Sequence, residues 1–114
     1  MLIFKVFRAP EWAELVSNGR TRGAPVDRED GFVHLSTAAQ LAGTLHKHFA
    51  GATGLVLVAM DAARGGPWLK WETSRGGELF PHLYRDFEAE DVVWSRSLPD
   101  DPAAWALPDD PTCA

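Results

Sequence analysis

The chain has 114 residues, of which 46% are hydrophobic and 24% are charged, so it is sized for one domain and is too apolar for general disorder. Its formal net charge of −5 argues against the basic surface that duplex nucleic acid requires. No apolar run approaches the ~18 residues that span a bilayer, and the first residues lack the pattern of a signal peptide. Together with a single cysteine, Cys113, these features predict a cytoplasmic protein without membrane or duplex partners.

The negative charge lies mostly beyond the predicted domain. Residues 1–98 carry eleven basic and twelve acidic groups, and we expect them to form a single domain. Residues 99–114 form an acidic, proline-rich tail, in which the sequence LPDDP occurs at 98–102 and again at 107–111. Trp105 lies between the two copies and is the expected anchor that docks the tail on the domain. An acidic arm that binds a protein partner is the alternative.

The first part of the chain predicts a strand, a helix and a loop. LIFKVF (2–7) is typical of a strand, and Pro10 suits the first turn of a helix that Gly19 ends. The polar stretch RTRGAPVDREDG (20–31) is predicted to be a loop, because it holds three arginines, two glycines and one proline.

The middle of the chain predicts a strand, a capped helix and a buried strand. FVHLS (32–36) alternates in polarity, which places on one face of a strand the side chains of Phe32, His34 and Ser36. Ser36 or Thr37 can then cap a helix over 37–49. LVLVAMD (55–61) is a continuous apolar run, typical of a central strand that is buried on both faces.

The last part predicts two strands that flank a proline-interrupted segment. WLKWET (68–73) and DVVWSRS (91–97) are predicted strands, whereas LFPHLYRDF (79–87) contains Pro81 and is predicted to be an edge segment or loop. The order of elements lacks the regular βαβ alternation of a doubly wound fold. We therefore predict an α+β domain with two helices and a curved, mainly antiparallel sheet.

The segment around His34 is the first candidate site. A histidine near the end of a strand, two residues before a capping hydroxyl, faces the start of the next helix, where N–H groups and the helix dipole favour an anion such as phosphate. Ser36 and Thr37 are therefore candidate ligand-binding residues. The alternative is a hydrogen-bonded core histidine beside an ordinary helix cap.

Two later segments place polar side chains among aromatic ones. In the first, Glu72 follows Trp71 on a predicted strand and is a candidate base or ribose ligand, with an ordinary surface Glu–Lys pair as the alternative. In the second, Tyr84 can stack on a planar ring, and His82 or Arg85 can bind phosphate or carboxylate. The alternative for this second segment is that its side chains only cover the core.

The sequence predicts no metal cofactor. His46 and His48 are two residues apart on a predicted helix, about 200° apart around its axis, so they cannot chelate one ion together. His34, Glu72 and His82 are suitable ligand types but lack a diagnostic spacing. The chain also lacks a P-loop and a G-x-S-x-G elbow, which argues against NTPase and hydrolase activities.

Three segments, taken in order, resemble a small bacterial family known as domain of unknown function 952. Its members carry a D-G-F-[IV]-H-L-S motif, a W-E strand and an F-P-H-L-Y segment. The corresponding parts of this chain are Asp30–Ser36, Trp71-Glu72 and Phe80–Tyr84. The resemblance spans residues 2–97 and leaves the acidic tail outside.

That family is similar in turn to the ADP-ribosyltransferase and RNA 2′-phosphotransferase superfamily, an α+β fold of split, curved sheets that grip NAD or an ADP-ribose-like group. The resemblance implies that His34 and Ser36 hold a ribose, and that Tyr84 is the aromatic residue that stacks on nicotinamide. In the superfamily a glutamate follows the aromatic residue, whereas here Glu72 precedes it. Arg22 or Arg85 supplies positive charge in such a site.

Two hypotheses of function follow. In the first, a pocket binds NAD as a substrate, or another nucleotide-like ligand, and supports an ADP-ribosyl-transfer type of reaction. Its catalytic residues are His34, Glu72 and His82. Its ligand-binding residues are Ser36, Thr37, Trp71, Tyr84, Arg22 and Arg85. In the second hypothesis the chain is a non-catalytic protein-interaction module, and its histidines are structural.

Overall fold

The computed structural model describes residues 1–108 of the chain. Cys113 and the last part of the second LPDDP copy, residues 109–111, therefore lie outside the described residues. The α-helices are α1 (Ala9–Asn18), α2 (Pro25–Asp30) and α3 (Ala38–His48). The strands are β1 (Leu2–Phe7), β2 (Arg20–Thr21), β3 (Val33–His34), β4 (Val56–Asp61), β5 (Leu69–Thr73), β6 (Leu79–Leu83), β7 (Phe87–Glu88) and β8 (Val92–Ser97).

The strands form three small antiparallel sheets, so the fold is α+β. Their orders are β1-β4-β8, β2-β7 and β3-β6-β5. The first and third sheets meet where Phe4 and Ser36 exchange two backbone hydrogen bonds of 2.7 and 2.8 Å. The sequence predicted a mainly antiparallel sheet, and antiparallel pairing is confirmed in all three sheets.

The central strand β4 of the sheet β1-β4-β8 is buried on both faces. Side chains at alternate positions of β4 enter two different core clusters. One cluster includes Leu15 of α1 and Leu83 of β6, and the other includes Leu41 and Leu45 of α3. The prediction that 55–61 is a central strand is confirmed.

The predicted helix signals are confirmed at both longer helices. Gly19 ends α1 in the left-handed conformation, with φ of 78°, and its N–H donates to the carbonyl of Leu15. Thr37 is the N-cap of α3, where its hydroxyl accepts a hydrogen bond from the N–H of Gln40.

The prediction of a loop over 20–31 is wrong, because this stretch contains β2 and α2. Pro25 lies in the first turn of α2, and the carboxylate of Asp27 accepts a hydrogen bond from the N–H of Ala24. Gly31 ends the helix in the left-handed conformation. Pro25 and Gly31, which suggested a loop, are the start and stop signals of a six-residue helix, so residues 1–108 contain three α-helices and not two.

The prediction for 79–87 is also wrong, because β6 is the central strand of its sheet and contains Pro81. Tyr84 and Ser74 make backbone hydrogen bonds across the β5–β6 ladder. Since such bonds alternate along an antiparallel pair, Pro81 lies at a non-hydrogen-bonded position relative to Trp71 of β5. Its missing N–H faces the two-residue strand β3, and its carbonyl accepts from the N–H of Leu35. The proline therefore costs the sheet one hydrogen bond beside its shortest strand.

The described part of the tail packs on the second core cluster through Trp105 and Leu107. The indole N–H of Trp105 donates to the carbonyl of Pro99 at 2.8 Å, and its ring lies 5.6 Å from that of His46. Asp101 caps a short helical turn, which spans Pro102–Ala104.

Candidate functional site

A cleft of about 880 Å³ runs along the outer edge of β1. The start of α2, the end of β3, the last turns of α3 and the strand β6 close around it. The residues that line it include Lys5, Asp27, His34, Ser36 and His82. Two of the three side chains predicted to be catalytic therefore lie on one cleft, although 48 residues separate them in the chain.

His34 lies between two carboxylates. Its Nδ1 is 2.6 Å from Asp27 Oδ1, and its Nε2 is 3.0 Å from Asp30 Oδ2. The backbone N–H of His34 also donates to Asp27 Oδ1 at 3.0 Å. Only a doubly protonated imidazole can donate to both carboxylates at once. This geometry places a carboxylate oxygen next to each ring nitrogen of His34.

Asp27 is the buried residue that links the groups of this half of the site, and it was not predicted from the sequence. Its carboxylate is fully buried and accepts hydrogen bonds from His34, from the N–H of Ala24 and from Lys5 Nζ at 2.8 Å. Burial alone would raise the pKa of Asp27, but the hydrogen bond from His34 and the charge of Lys5 lower it to about 2. The carboxylate is therefore ionised throughout the neutral range.

Lys5 was also missed, although the sequence carried a signal for it. It is the only charged residue in the apolar strand 2–7, on the same face as Ile3 and Phe7, which lie in the first core cluster. A charged side chain at such a position requires a buried partner, which is Asp27. Lys5 Nζ also donates to the carbonyl of His34 at 3.0 Å.

Glu72, His82 and Tyr84 form the second half of the site. In the register of β5 and β6, Lys70 lies opposite His82 and Glu72 lies opposite Phe80, so these side chains share one face. His82 Nδ1 is 2.8 Å from Glu72 Oε1, and the hydroxyl of Tyr84 donates to the same oxygen at 2.7 Å. One carboxylate oxygen therefore holds both an imidazole and a phenol.

The two hydrogen bonds shift the titration of both partners. The bond from Tyr84, followed by that from His82, lowers the pKa of Glu72 below its usual value. The same bond to Glu72 raises the pKa of Tyr84. At neutral pH the carboxylate is ionised and the phenol keeps its proton.

The ring of Phe32 joins the two halves. It stacks on His82 with ring centres 4.2 Å apart and an angle of 24°, and it also contacts His34 and Tyr84. His34 and His82 are paired in register across β3 and β6, and their ring centres are 5.3 Å apart. The structure thus brings His34, His82 and Glu72 close together, with the two histidines on the cleft and Glu72 beside His82 but not among the cleft residues.

The remaining predicted residues of these segments lie in different surroundings. Ser36 lines the cleft, and its hydroxyl is 2.8 Å from that of Thr44. Thr37 caps α3 and is not among the residues that line the cleft. Trp71 points to the opposite face of its sheet from Glu72.

The structure does not bring either predicted arginine to the cleft. Arg22 lines a separate surface depression of about 430 Å³, together with Arg20 and Arg28. Arg85 makes a two-pronged ion pair with the buried carboxylate of Asp91, at 2.7 and 2.9 Å. Positive charge along the cleft comes instead from Lys5, Arg8 and Lys47. The residues next to an arginine in the sequence do not reveal which carboxylate the fold will place beside it.

Within residues 1–108, no group of three or more histidine, cysteine or acidic side chains is arranged to hold a metal ion. Over the same residues, no helix combines the length and apolar character needed to cross a membrane.

The comparisons with known proteins point to one family and one group of related structures. Residues 6–95 match the sequence profile of a family described as "Protein of unknown function (DUF952)". The crystal structure of protein CC0527 from Caulobacter crescentus is similar to this chain, with 42% identity, a TM-score of 0.86 and 92% of each chain covered. The solution NMR structure of CC0527 has a TM-score of 0.78 at 42% identity, covering 91% of this chain and 90% of that one. A comparison with curated proteins finds no match.

Proposed function

The chain belongs to the DUF952 family of proteins of unknown function, and from that premise we propose that its cleft binds a nucleotide-like ligand such as NAD and supports an ADP-ribosyl-transfer type of reaction. The observation that carries this proposal is the convergence of His34 and His82 on one cleft. Their ring centres are 5.3 Å apart.

The size and chemistry of the cleft suit such a ligand. Its volume of about 880 Å³ lies within the roughly 300–1,000 Å³ of most small-molecule sites. Its walls combine apolar side chains with a few polar groups, which is how binding sites fix the orientation of a ligand. Phe4, Val6, Phe49 and Phe80 supply apolar surface.

The charges along the cleft suit the phosphates of a nucleotide. Lys5, Arg8 and Lys47 line it, against the carboxylates of Asp27 and Glu11. Asp27 is already paired with Lys5 and His34, so it offers little net repulsion to an anion.

Each predicted catalytic residue has a distinct role in this proposal. The ring of His34, on the same cleft as Ser36, holds the ribose. His82 lies close enough to act on the group that attacks the ribose. Glu72 is not among the residues that line the cleft, so it acts through its hydrogen bond to His82.

The test is a calorimetric titration of NAD and of ADP-ribose into the wild-type protein and two histidine variants. We expect His34→Gln to weaken binding at least tenfold, which is about 1.4 kcal/mol. His46→Gln is the matched control, because His46 is exposed on α3 and is not among the cleft residues. The absence of binding to the wild type, or equal affinities for both variants, contradicts the proposal.

One observation favours the second hypothesis, a protein-interaction module. Trp68, Trp71 and Leu79 are exposed near β5, which is an edge strand and therefore presents unpaired backbone groups. In that case Glu72→Ala and His82→Ala lower the melting temperature without changing the affinity for NAD. Titration of NAD into Glu72→Ala and His82→Ala, together with thermal melts of these two variants, separates the two functions.

A further inference from the structure

The two histidines of the cleft differ in one respect, and we infer from it that His82 is the general base of the site and that Glu72 and Tyr84 are its positioning residues. This inference rests on the proposed function for the identity of the ligand. The state of the His82 ring, however, can be measured in the protein alone.

The hydrogen bond to Glu72 determines which nitrogen of His82 carries the proton. An ionised carboxylate can only accept, so the 2.8 Å contact from Glu72 Oε1 requires a proton on Nδ1. The Nε2 of the neutral ring then carries a lone pair, as in other carboxylate–histidine pairs.

That second nitrogen faces the cleft. His82 Nε2 makes no hydrogen bond to any described residue, and only 5% of the side chain surface is exposed. Within residues 1–108 no buried side-chain nitrogen or oxygen lacks a hydrogen-bond partner. His82 lines the cleft, and we assign the unbonded Nε2 to the side of the ring that faces it.

The surroundings of His82 hold the ring in place. Phe32 stacks on one face with ring centres 4.2 Å apart, which limits rotation of the imidazole. Tyr84 donates to the same Oε1 of Glu72, so the carboxylate is itself oriented. The accepting nitrogen and the orientation of the ring are both fixed before the ligand arrives. Such a base loses little entropy in the reaction.

His34 cannot perform this role. Both of its ring nitrogens contact carboxylate oxygens, Nδ1 with Asp27 and Nε2 with Asp30, so neither has a lone pair directed at a ligand. Proton abstraction requires a ring nitrogen that is not already directed at a carboxylate, and His34 offers none.

With NAD, this arrangement supports the displacement of nicotinamide from the ribose by an oxygen nucleophile. The bond between ribose C1′ and the nicotinamide nitrogen breaks, and nicotinamide leaves with the electron pair. The oxygen of a water or hydroxyl group forms the new bond to C1′, and its proton passes to His82 Nε2. No oxidant or metal is needed.

The first experiment measures the His82 tautomer by long-range ¹H–¹⁵N NMR of histidine-labelled protein without ligand. We expect a proton on Nδ1 and a bare Nε2 at alkaline pH in the wild type. Glu72→Ala should convert the ring to a mixture of tautomers, while the signals of His46, which is not among the residues that line the cleft, stay unchanged. A wild-type ring protonated on Nε2, or a tautomer that Glu72→Ala leaves unaltered, overturns the inference.

The second experiment measures nicotinamide release from NAD as a function of pH. We expect the rate to rise with increasing pH, because a general base must be unprotonated to act. We expect His82→Asn to lower kcat by about 10²–10⁴-fold. Glu72→Ala should lower kcat at least tenfold with little change in KM, which a merely structural role would not produce. If the protein binds NAD without turnover, or if His82→Asn turns over NAD as fast as the wild type, His82 is not the general base. Either result leaves the proposal of ligand binding intact. A failure of NAD to bind refutes the proposed function, and the NMR result then decides the inference.

Discussion

The two histidine–carboxylate pairs of the cleft lie side by side across β3 and β6, yet burial gives them different properties. Asp27 is fully buried and ties His34 to Lys5 and to the start of α2. Glu72 is 39% exposed, and its partners are His82 and Tyr84 on neighbouring positions of the same sheet face. The carboxylate of the first pair therefore belongs to the framework of the fold, whereas the carboxylate of the second lies at a partly exposed position.

Replacement of the buried carboxylate should have the largest effect. We expect Asp27→Asn to lower the free energy of unfolding by about 3–5 kcal/mol, because the amide leaves the buried ammonium of Lys5 without a counter-charge. Urea unfolding at neutral pH measures the loss. Asp30→Asn is the matched control, since Asp30 contacts the same imidazole from an exposed position and should cost less than about 1 kcal/mol. Equal losses would show that burial does not distinguish the two contacts.

The acid stability of the wild type should report the same pair. The pKa of Asp27 is lowered to about 2 in the folded protein, from about 3.8 in the unfolded chain. Because the folded value is the lower one, the stabilisation is complete above pH of about 4 and is lost as the pH falls towards 2. We expect this loss to be about 2 kcal/mol in unfolding measurements over that range. Asp27→Asn should lack this component of the pH dependence, and an identical acid slope in both proteins contradicts the assignment.

The matching change in the second pair should scarcely alter stability. Glu72→Gln keeps the shape of the side chain at a partly exposed position, so we expect a shift of the urea midpoint about as small as that of Asp30→Asn. The same variant should still lower the rate of nicotinamide release, because the neutral amide supports a protonated imidazole less well. A large loss of stability in Glu72→Gln would place this pair in the framework of the fold as well.

The smallest expected effect is spectroscopic. The chain has one tyrosine, so the absorbance of tyrosinate during an alkaline titration reports Tyr84 alone. The pKa of Tyr84 is raised in the wild type by its hydrogen bond to Glu72, and Glu72→Gln should move it back towards its ordinary value. His82→Asn retains the carboxylate and should leave most of the shift in place. A normal pKa in the wild type would show that the phenol does not donate to Glu72.

Local patterns in the sequence predicted much of the secondary structure and the positions of the chemistry. The apolar run at 55–61, Gly19 after α1 and Thr37 before α3 act through sterics and hydrogen bonds within a few residues, so they can be identified without the rest of the fold. His34 and His82 were likewise recognised as unusual polar residues in aromatic surroundings.

Other features depend on which elements become neighbours, and short-range patterns carry no information about that. The partner of Lys5 is 22 residues away, and Arg85 is occupied by Asp91 instead of a ligand. Pro81 lies in a central strand, where its missing N–H faces a strand that is two residues long. The different states of the two imidazoles likewise follow from long-range packing, since carboxylates contact both ring nitrogens of His34 but only one of His82.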